Sequence, residues 1–329
     1  MRDVPVAGAA PATLGGKRVD WAGQIPLATL VVLCLVISLL TDRFLTTLNV
    51  TNVLVQAAVI AVVAMGMTFV ILGGGFDLSV GSTVAMTGCV AAAVMMQAGI
   101  LAGVVAGVAT GALIGLANGL TVTVLKVNPF IATLGTMVIV RGAVFLFSDS
   151  QQIPIEGTLP RPFLDFAVDR FLGIHDLVWV PAILLVALSW VLAKTRYGRN
   201  LYATGGNREA AYLSGIRVGR MVASTYVWCG ALAGVAGVIL CARLQSGQPT
   251  SGEFYELTAI AAVVLGGAAL HGGEGKLYKT VIGVFIMVVL GNGLNLLNVD
   301  SHWQRVAVGL VIIAAAAVDQ LRHRSASRP

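Results

Sequence analysis

Apolar runs separated by short polar or glycine-rich breaks dominate the chain, at 21–40, 53–72, 80–97, 100–125, 130–147, 177–192, 221–242, 257–270, 279–297 and 303–318. A helix rises 1.5 Å per residue, so about 20 apolar residues cross a bilayer core of ~30 Å. The pattern therefore predicts an all-α, polytopic membrane protein of about ten transmembrane helices. No small-residue cleavage site follows the first run, where Leu40 leads into Thr41-Asp42-Arg43-Phe44. It is expected to stay as a helix and not to be removed as a signal peptide.

The boundaries imply a tail over 1–20, a transmembrane domain over 21–318 and a second tail over 319–329. Two connections are long. The loop 148–176 carries Asp149, Glu156, Asp165, Asp169 and Asp176 against Arg161 and Arg170, so it is mildly acidic. The loop 193–220 is basic and holds a potential short helix from Asn207 to Ser214, which Gly215 is placed to end. A local echo, Val70-Ile71-Leu72-Gly73-Gly74 against Val263-Val264-Leu265-Gly266-Gly267, suggests an internal repeat, expected to be inverted as in many transporters.

Composition agrees with the pattern: 57% of the 329 residues are hydrophobic and 11% are charged. A soluble domain carries roughly 25% charged residues, so a water-facing exterior is excluded. The net charge of +6 would raise the question of nucleic acid in a soluble protein, but here the distribution decides. With the N-terminus inside, 15 of the 21 Lys and Arg residues fall on one side, six of them in 193–220, and five on the other. Lys and Arg mark cytoplasmic loops, so both termini and the 193–220 loop are expected in the cytoplasm and 148–176 outside.

Few residues in the spans carry chemistry. Gly103, Gly107, Gly111, Gly115 and Gly119 recur every four residues, a stripe that lets a neighbouring helix approach closely. Gly230 and Gly234 repeat the spacing in the seventh run. Asp77 lies in Gly73-Gly74-Gly75-Phe76-Asp77-Leu78-Ser79, where Asp77 or Ser79 is expected to cap a helix, or the segment to form a broken element lining a pathway. Arg141 sits inside a span, and a charge there needs a partner; Asp77 is the expected one. Cys34, Cys89, Cys229 and Cys241 all fall in apolar runs and read as small hydrophobes.

Catalytic signatures are missing, and the four histidines are scattered over loops and ends. No metal-ligand spacing occurs. The stretch 271–277 approaches a phosphate loop, but that motif needs glycine at Leu270 and Ser or Thr at Leu277. The chain is expected to be no enzyme, to bind no cofactor and to use any nucleotide through another subunit.

Four segments carry a family resemblance: Gly75 to Ser82; Asn128-Pro129-Phe130-Ile131-Ala132-Thr133-Leu134-Gly135-Thr136 through Arg141-Gly142; Tyr197-Gly198-Arg199 through Asn207; and Ala210-Ala211-Tyr212-Leu213-Ser214-Gly215-Ile216. In these the chain resembles the membrane permease subunit of bacterial ABC sugar importers of the ribose, xylose and galactose type. The resemblance implies a multi-pass protein of the inner membrane that moves a monosaccharide by alternating access. It implies cytoplasmic ATPase subunits that bind ATP and Mg, a periplasmic or lipid-anchored sugar-binding protein, and a second permease copy or paralogue. By the same resemblance Asn207, Glu209, Ala210, Ala211, Ser214 and Gly215 form the ATPase-coupling element. Candidate pathway residues are Gln56, Asp77, Asn128, Phe130, Thr133, Asn292 and Asn295. The alternatives are a branched-chain amino-acid ABC permease and a secondary transporter, which needs an intramembrane ion site.

Overall fold

The computed structural model describes residues 21–155 and 161–326. The tail 1–20 and Glu156 of the acidic loop lie outside them. In chain order the elements are α1 (Trp21–Leu40), α2 (Thr47–Leu72), α3 (Val80–Ala98), α4 (Ile100–Thr123), α5 (Pro129–Phe147), β1 (Ile153–Pro154), α6 (Arg161–Val168), β2 (Arg170–Phe171), β3 (Ile174–His175), α7 (Asp176–Lys194), α8 (Arg196–Gly206), α9 (Arg208–Leu213), α10 (Val218–Leu244), β4 (Ser246–Gly247), α11 (Tyr255–Leu265), α12 (Leu277–Leu296) and α13 (Ser301–Ala326). Among the described residues seven helices, α2, α3, α4, α5, α7, α10 and α12, are long and apolar enough to cross a bilayer. Shorter apolar helices cover Gln24–Leu40 and Tyr255–Leu265. The protein is therefore all-α and polytopic; α13 runs without a break through the expected boundary at 319.

α2 is the hub. From Ala57 to Leu72 nearly every residue is buried, because α10, α11, α12 and α7 surround it. Two polar rungs fix α12 against it in antiparallel register: Thr68 and Thr280 hydroxyls at 3.0 Å near one end, Asn49 and Asn292 near the other. α11 is also antiparallel to α12, with Ala262 beside Gly283 and Gly266 beside Lys279. Thus α2 and α11 run in the same direction and end side by side, where the Gly273 amide donates to the Leu72 carbonyl at 3.0 Å. The echoed glycine-ended segments close two parallel helices, so α2 and α11 are not counterparts in an inverted repeat, whose counterparts run in opposite directions.

The glycine stripe is where α4 meets α10. Gly103, Gly107, Gly111, Gly115 and Gly119 are buried while most of α4 is not. A Cβ at Gly111 would strike the Gly230 carbonyl, one at Gly115 the Tyr226 carbonyl, and one at Gly234 the backbone of Val108. Side chains there would force the backbones apart and remove the dispersion contacts that hold membrane helices together.

The eighth apolar run departs most from its expected form. α11 is only 11 residues long, about 16 Å of helix and half a bilayer core. The chain reaches it from α10 through Gln245 in the left-handed region (φ 54°), the short β4 strand paired with β1, and Phe254, also left-handed (φ 63°). Gly247 packs against Cys89 and Gly252 against Gly81, both in α3. Ser246, Gly247, Pro249 and Gly252 are buried in this stretch, while Gln245, Thr250, Glu253 and Phe254 are exposed; irregular backbone persists at membrane depth only where it is buried in protein or lines a water-filled cavity.

Candidate functional site

Two helix breaks, 73–79 and 245–254, meet at the first turn of α3, where Gly252 lies against Gly81. In the first break, Asp77 is buried and its Oδ1 accepts from the Ser79 amide (2.9 Å), the Ser79 hydroxyl (2.6 Å) and Asn118 Nδ2 of α4 (3.4 Å). Asn118 Nδ2 also donates to Ser79 Oγ at 2.8 Å. Tyr226 of α10 donates to the Phe76 carbonyl at 3.3 Å. Ser79 occupies the N-cap of α3 but places no side-chain bond on its amides. Neither Asp77 nor Ser79 caps α3 through a side-chain bond to its amides; Asp77 ties the broken segment to α4 through Ser79 and Asn118.

Arg141 serves the second break. Its Nη1 donates to the carbonyls of Pro249 (2.8 Å) and Ser251 (2.9 Å), groups that have no helix to satisfy them. The expected Asp77 to Arg141 pair is not made: each side chain is held by a different break. The physical reason is that irregular backbone offers the arginine two fixed carbonyls close at hand, while Asp77 receives amide and hydroxyl donors from its own turn.

The side chains proposed for a pathway do not converge. Asn292 and Asn49 exchange amide hydrogen bonds at 3.0 and 2.8 Å, and Asn49 also donates to the Phe44 carbonyl. Asn128 caps α5, accepting from the Phe130 amide at 2.9 Å. Thr133 donates to the Pro129 carbonyl one turn back. Phe130 and Asn295 are exposed, and Gln56 is half-buried in α2. Among the described residues no group of three His, Cys, Asp or Glu side chains is placed to hold a metal ion.

The expected short helix in 193–220 is α9, and its ends follow from its sequence. Asn207 Oδ1 accepts from the Ala210 amide at 2.9 Å, an N-cap. At the other end Gly215 is left-handed (φ 80°), its amide donates to the Tyr212 carbonyl, and the Ile216 amide donates to that of Ala211. This is the Schellman arrangement, which favours glycine because a Cβ is strained there. Ser214 Oγ adds a bond to the Ala210 carbonyl. Ala211 is buried, while Glu209, Ala210, Tyr212 and Leu213 face outward, the last two 71% and 79% exposed. α9 is thus a capped helix six residues long that displays two large apolar side chains.

That surface is wired to the first break. Arg208, the first residue of α9, donates from Nη2 to the carbonyls of Gly73 and Gly74, both at 3.1 Å. Tyr202 of α8 donates to the Gly275 carbonyl at 2.8 Å, and burial raises its phenol pKa, so it stays a donor. Tyr197 meets Ser224 of α10 at 3.0 Å. Sequence reading missed Arg208, which counted only as one more loop charge. Its partners are more than 130 residues away, and nothing in the local pattern points to them.

A family profile described as branched-chain amino acid transport system / permease component matches residues 49–316. The chain is 46% identical to the ribose import permease protein RbsC of Bacillus subtilis over 314 residues, covering 92% of this chain and 96% of that one. It is 44% identical to the RbsC of Escherichia coli K12 (90% and 93% covered) and 38% identical to that organism's D-allose transport system permease protein AlsC (86% and 87%). No solved structure matches.

Proposed function

The chain belongs to the branched-chain amino acid transport system permease component family, and from that premise we propose that it is the membrane subunit of an ATP-driven importer of a monosaccharide. The family description names amino acids, but the similar relatives are permeases for ribose and D-allose, which favours a neutral polyol as cargo. The observation that carries the coupling role is α9: an exposed helix whose first residue is bonded to the break between α2 and α3. Force applied to α9 by a nucleotide-dependent partner reaches that break through Arg208 without crossing flexible chain.

In this reading Asn207, Glu209, Ala210, Ala211, Ser214 and Gly215 form the ATPase-coupling element, with Ala211 seating it inward and the others on its exposed side, and ATP and Mg are held by that partner. The chain itself performs no reaction. α1, α2, α3, α4, α5, α7, α10, α11, α12 and α13 make ten crossings of the bacterial inner membrane, with both termini and α9 cytoplasmic, as the basic residues favour. The loop 148–176 then faces a sugar-binding protein outside, and a second permease copy or paralogue completes the pathway. Sugar passes beside the two breaks, which meet at the first turn of α3.

Reconstitution in vesicles with the ATPase and binding protein tests the reading. Ribose or allose uptake is expected only with ATP inside the vesicle compartment that contains the ATPase. Uptake that continues without ATPase and ATP overturns it.

A further inference from the structure

A cavity of about 890 Å³ opens between the end of α7 and the start of α12. It belongs to neither the breaks nor α9. Its floor is apolar, with Leu192 and Leu277 buried, and its rim is cationic: Arg199 from α8, Lys276 just before α12 and Lys279 in its first turn, against the single acid Glu274. Lys276 occupies the N-cap of α12 and gives no side-chain acceptor to its first amides. Two lysines, an arginine and the positive end of a 20-residue helix therefore share one concavity with one carboxylate, a charge arrangement complementary to an anion.

The surroundings specify which kind of anion. α7 turns Ile183, Val186 and Trp190 outward, 65%, 72% and 62% exposed in a helix apolar enough to span a bilayer; such a face meets acyl chains. Trp190 lies next to Ser189 of the cavity wall, and half-exposed Tyr278 lies under Lys276, whose ammonium is 6.0 Å from the ring centroid. Trp and Tyr beside Lys and Arg at span ends mark the headgroup level of a membrane. The cavity thus has phosphate-binding groups at headgroup height and a hydrocarbon-facing wall below them.

We propose that this cavity binds the headgroup of an anionic phospholipid, with its acyl chains laid along the exposed face of α7. The proposal depends on the transport reading only for which leaflet is involved, the cytoplasmic one. Binding is measured without transport, so the two fail separately.

The test is native mass spectrometry of the full chain with its ATPase, released from nanodiscs of mixed phosphatidylglycerol and phosphatidylcholine. The wild type is expected to retain phosphatidylglycerol at least fivefold over phosphatidylcholine. R199Q/K276Q/K279Q loses that preference, R199K/K276R/K279R keeps it, and E274Q strengthens it. If the triple glutamine variant does not fold, the conservative triple and E274Q still decide. Equal retention of both lipids by wild type, an E274Q variant with unchanged or weaker retention, or displacement of the lipid by millimolar inorganic phosphate overturns the proposal. So does a glutamine variant that keeps its lipid but loses the ATPase, which would assign the cavity to that partner.

Discussion

The guanidinium of Arg208 donates to the Gly74 carbonyl at 3.1 Å, and through the same Nη2 to Gly73. Gly74 is left-handed (φ 74°), with the His271 carbonyl and Arg208 within van der Waals reach of where a Cβ would stand. The exposed helix α9, the break after α2 and the loop after α11 are thereby held at one point.

Arg208→Ala should uncouple rather than dissociate. A hydrogen bond from a charged donor contributes about 1.5–3 kcal/mol, and its loss frees the break from α9 without altering the exposed Tyr212 and Leu213. The expected result is ATP hydrolysis with normal ATPase copurification but roughly tenfold less sugar moved per ATP. Arg208→Lys, a point donor, should recover part of it. Sugar uptake and phosphate release measured on the same vesicles decide; parallel loss of both would indicate a docking defect instead.

Arg141 gives a stability prediction. Replacing it with Met removes the charge but leaves two carbonyls of the second break, Pro249 and Ser251, without their donor. An unsatisfied buried polar group costs about 1–3 kcal/mol, so the segment 245–254 should loosen before the helices do. Hydrogen exchange by mass spectrometry should show faster exchange confined to that segment. An Asp77→Asn change should leave it unaffected, because Asp77 bonds the other break.

The glycine stripe makes a prediction with its own control. Gly115→Val pushes a branched side chain into the Tyr226 backbone; overpacking costs about 1–3 kcal/mol where neighbours can yield, and backbone yields least. Gly135→Ala and Gly142→Ala lie in α5 with no atom within 4 Å of the added Cβ, and alanine is the better helix former by about 1 kcal/mol. Thermal melts in detergent should separate the first from the other two by opposite signs.

Legibility in the sequence followed interaction range. The α4 stripe was visible because its spacing is local and its partner stripe, Gly230 and Gly234, repeats it. α9 was visible because Asn207 and Gly215 act within a few residues of themselves. The half-length of α11 was not, because Val263, Val264 and Leu265 read the same in half a span as in a whole one. Arg141 was recognised as an intramembrane charge needing a partner, yet its hydrogen-bond partners are backbone carbonyls, and the carboxylates near it, Glu253 and Glu256, belong to the second break and the start of α11, far along the chain. The Asn49 to Asn292 rung was hidden for the same reason as Arg208: 243 residues separate its members.

That rung supplies a prediction that separates a structural amide from a sugar ligand. Hydrogen bonds between membrane helices are worth about 0.6 kcal/mol on average and at most ~1.7, but an orphaned amide in a dry interface costs more than the bond was worth. Asn292→Leu alone should therefore destabilise, leaving Asn49 with only the Phe44 carbonyl for its donors. Asn49→Leu together with Asn292→Leu removes both amides and should recover most of the lost melting temperature. If Asn292 instead meets sugar, the double variant recovers stability but not transport, its apparent affinity for sugar staying as weak as in Asn292→Leu. A double variant that restores stability and uptake together assigns the pair to holding α2 on α12.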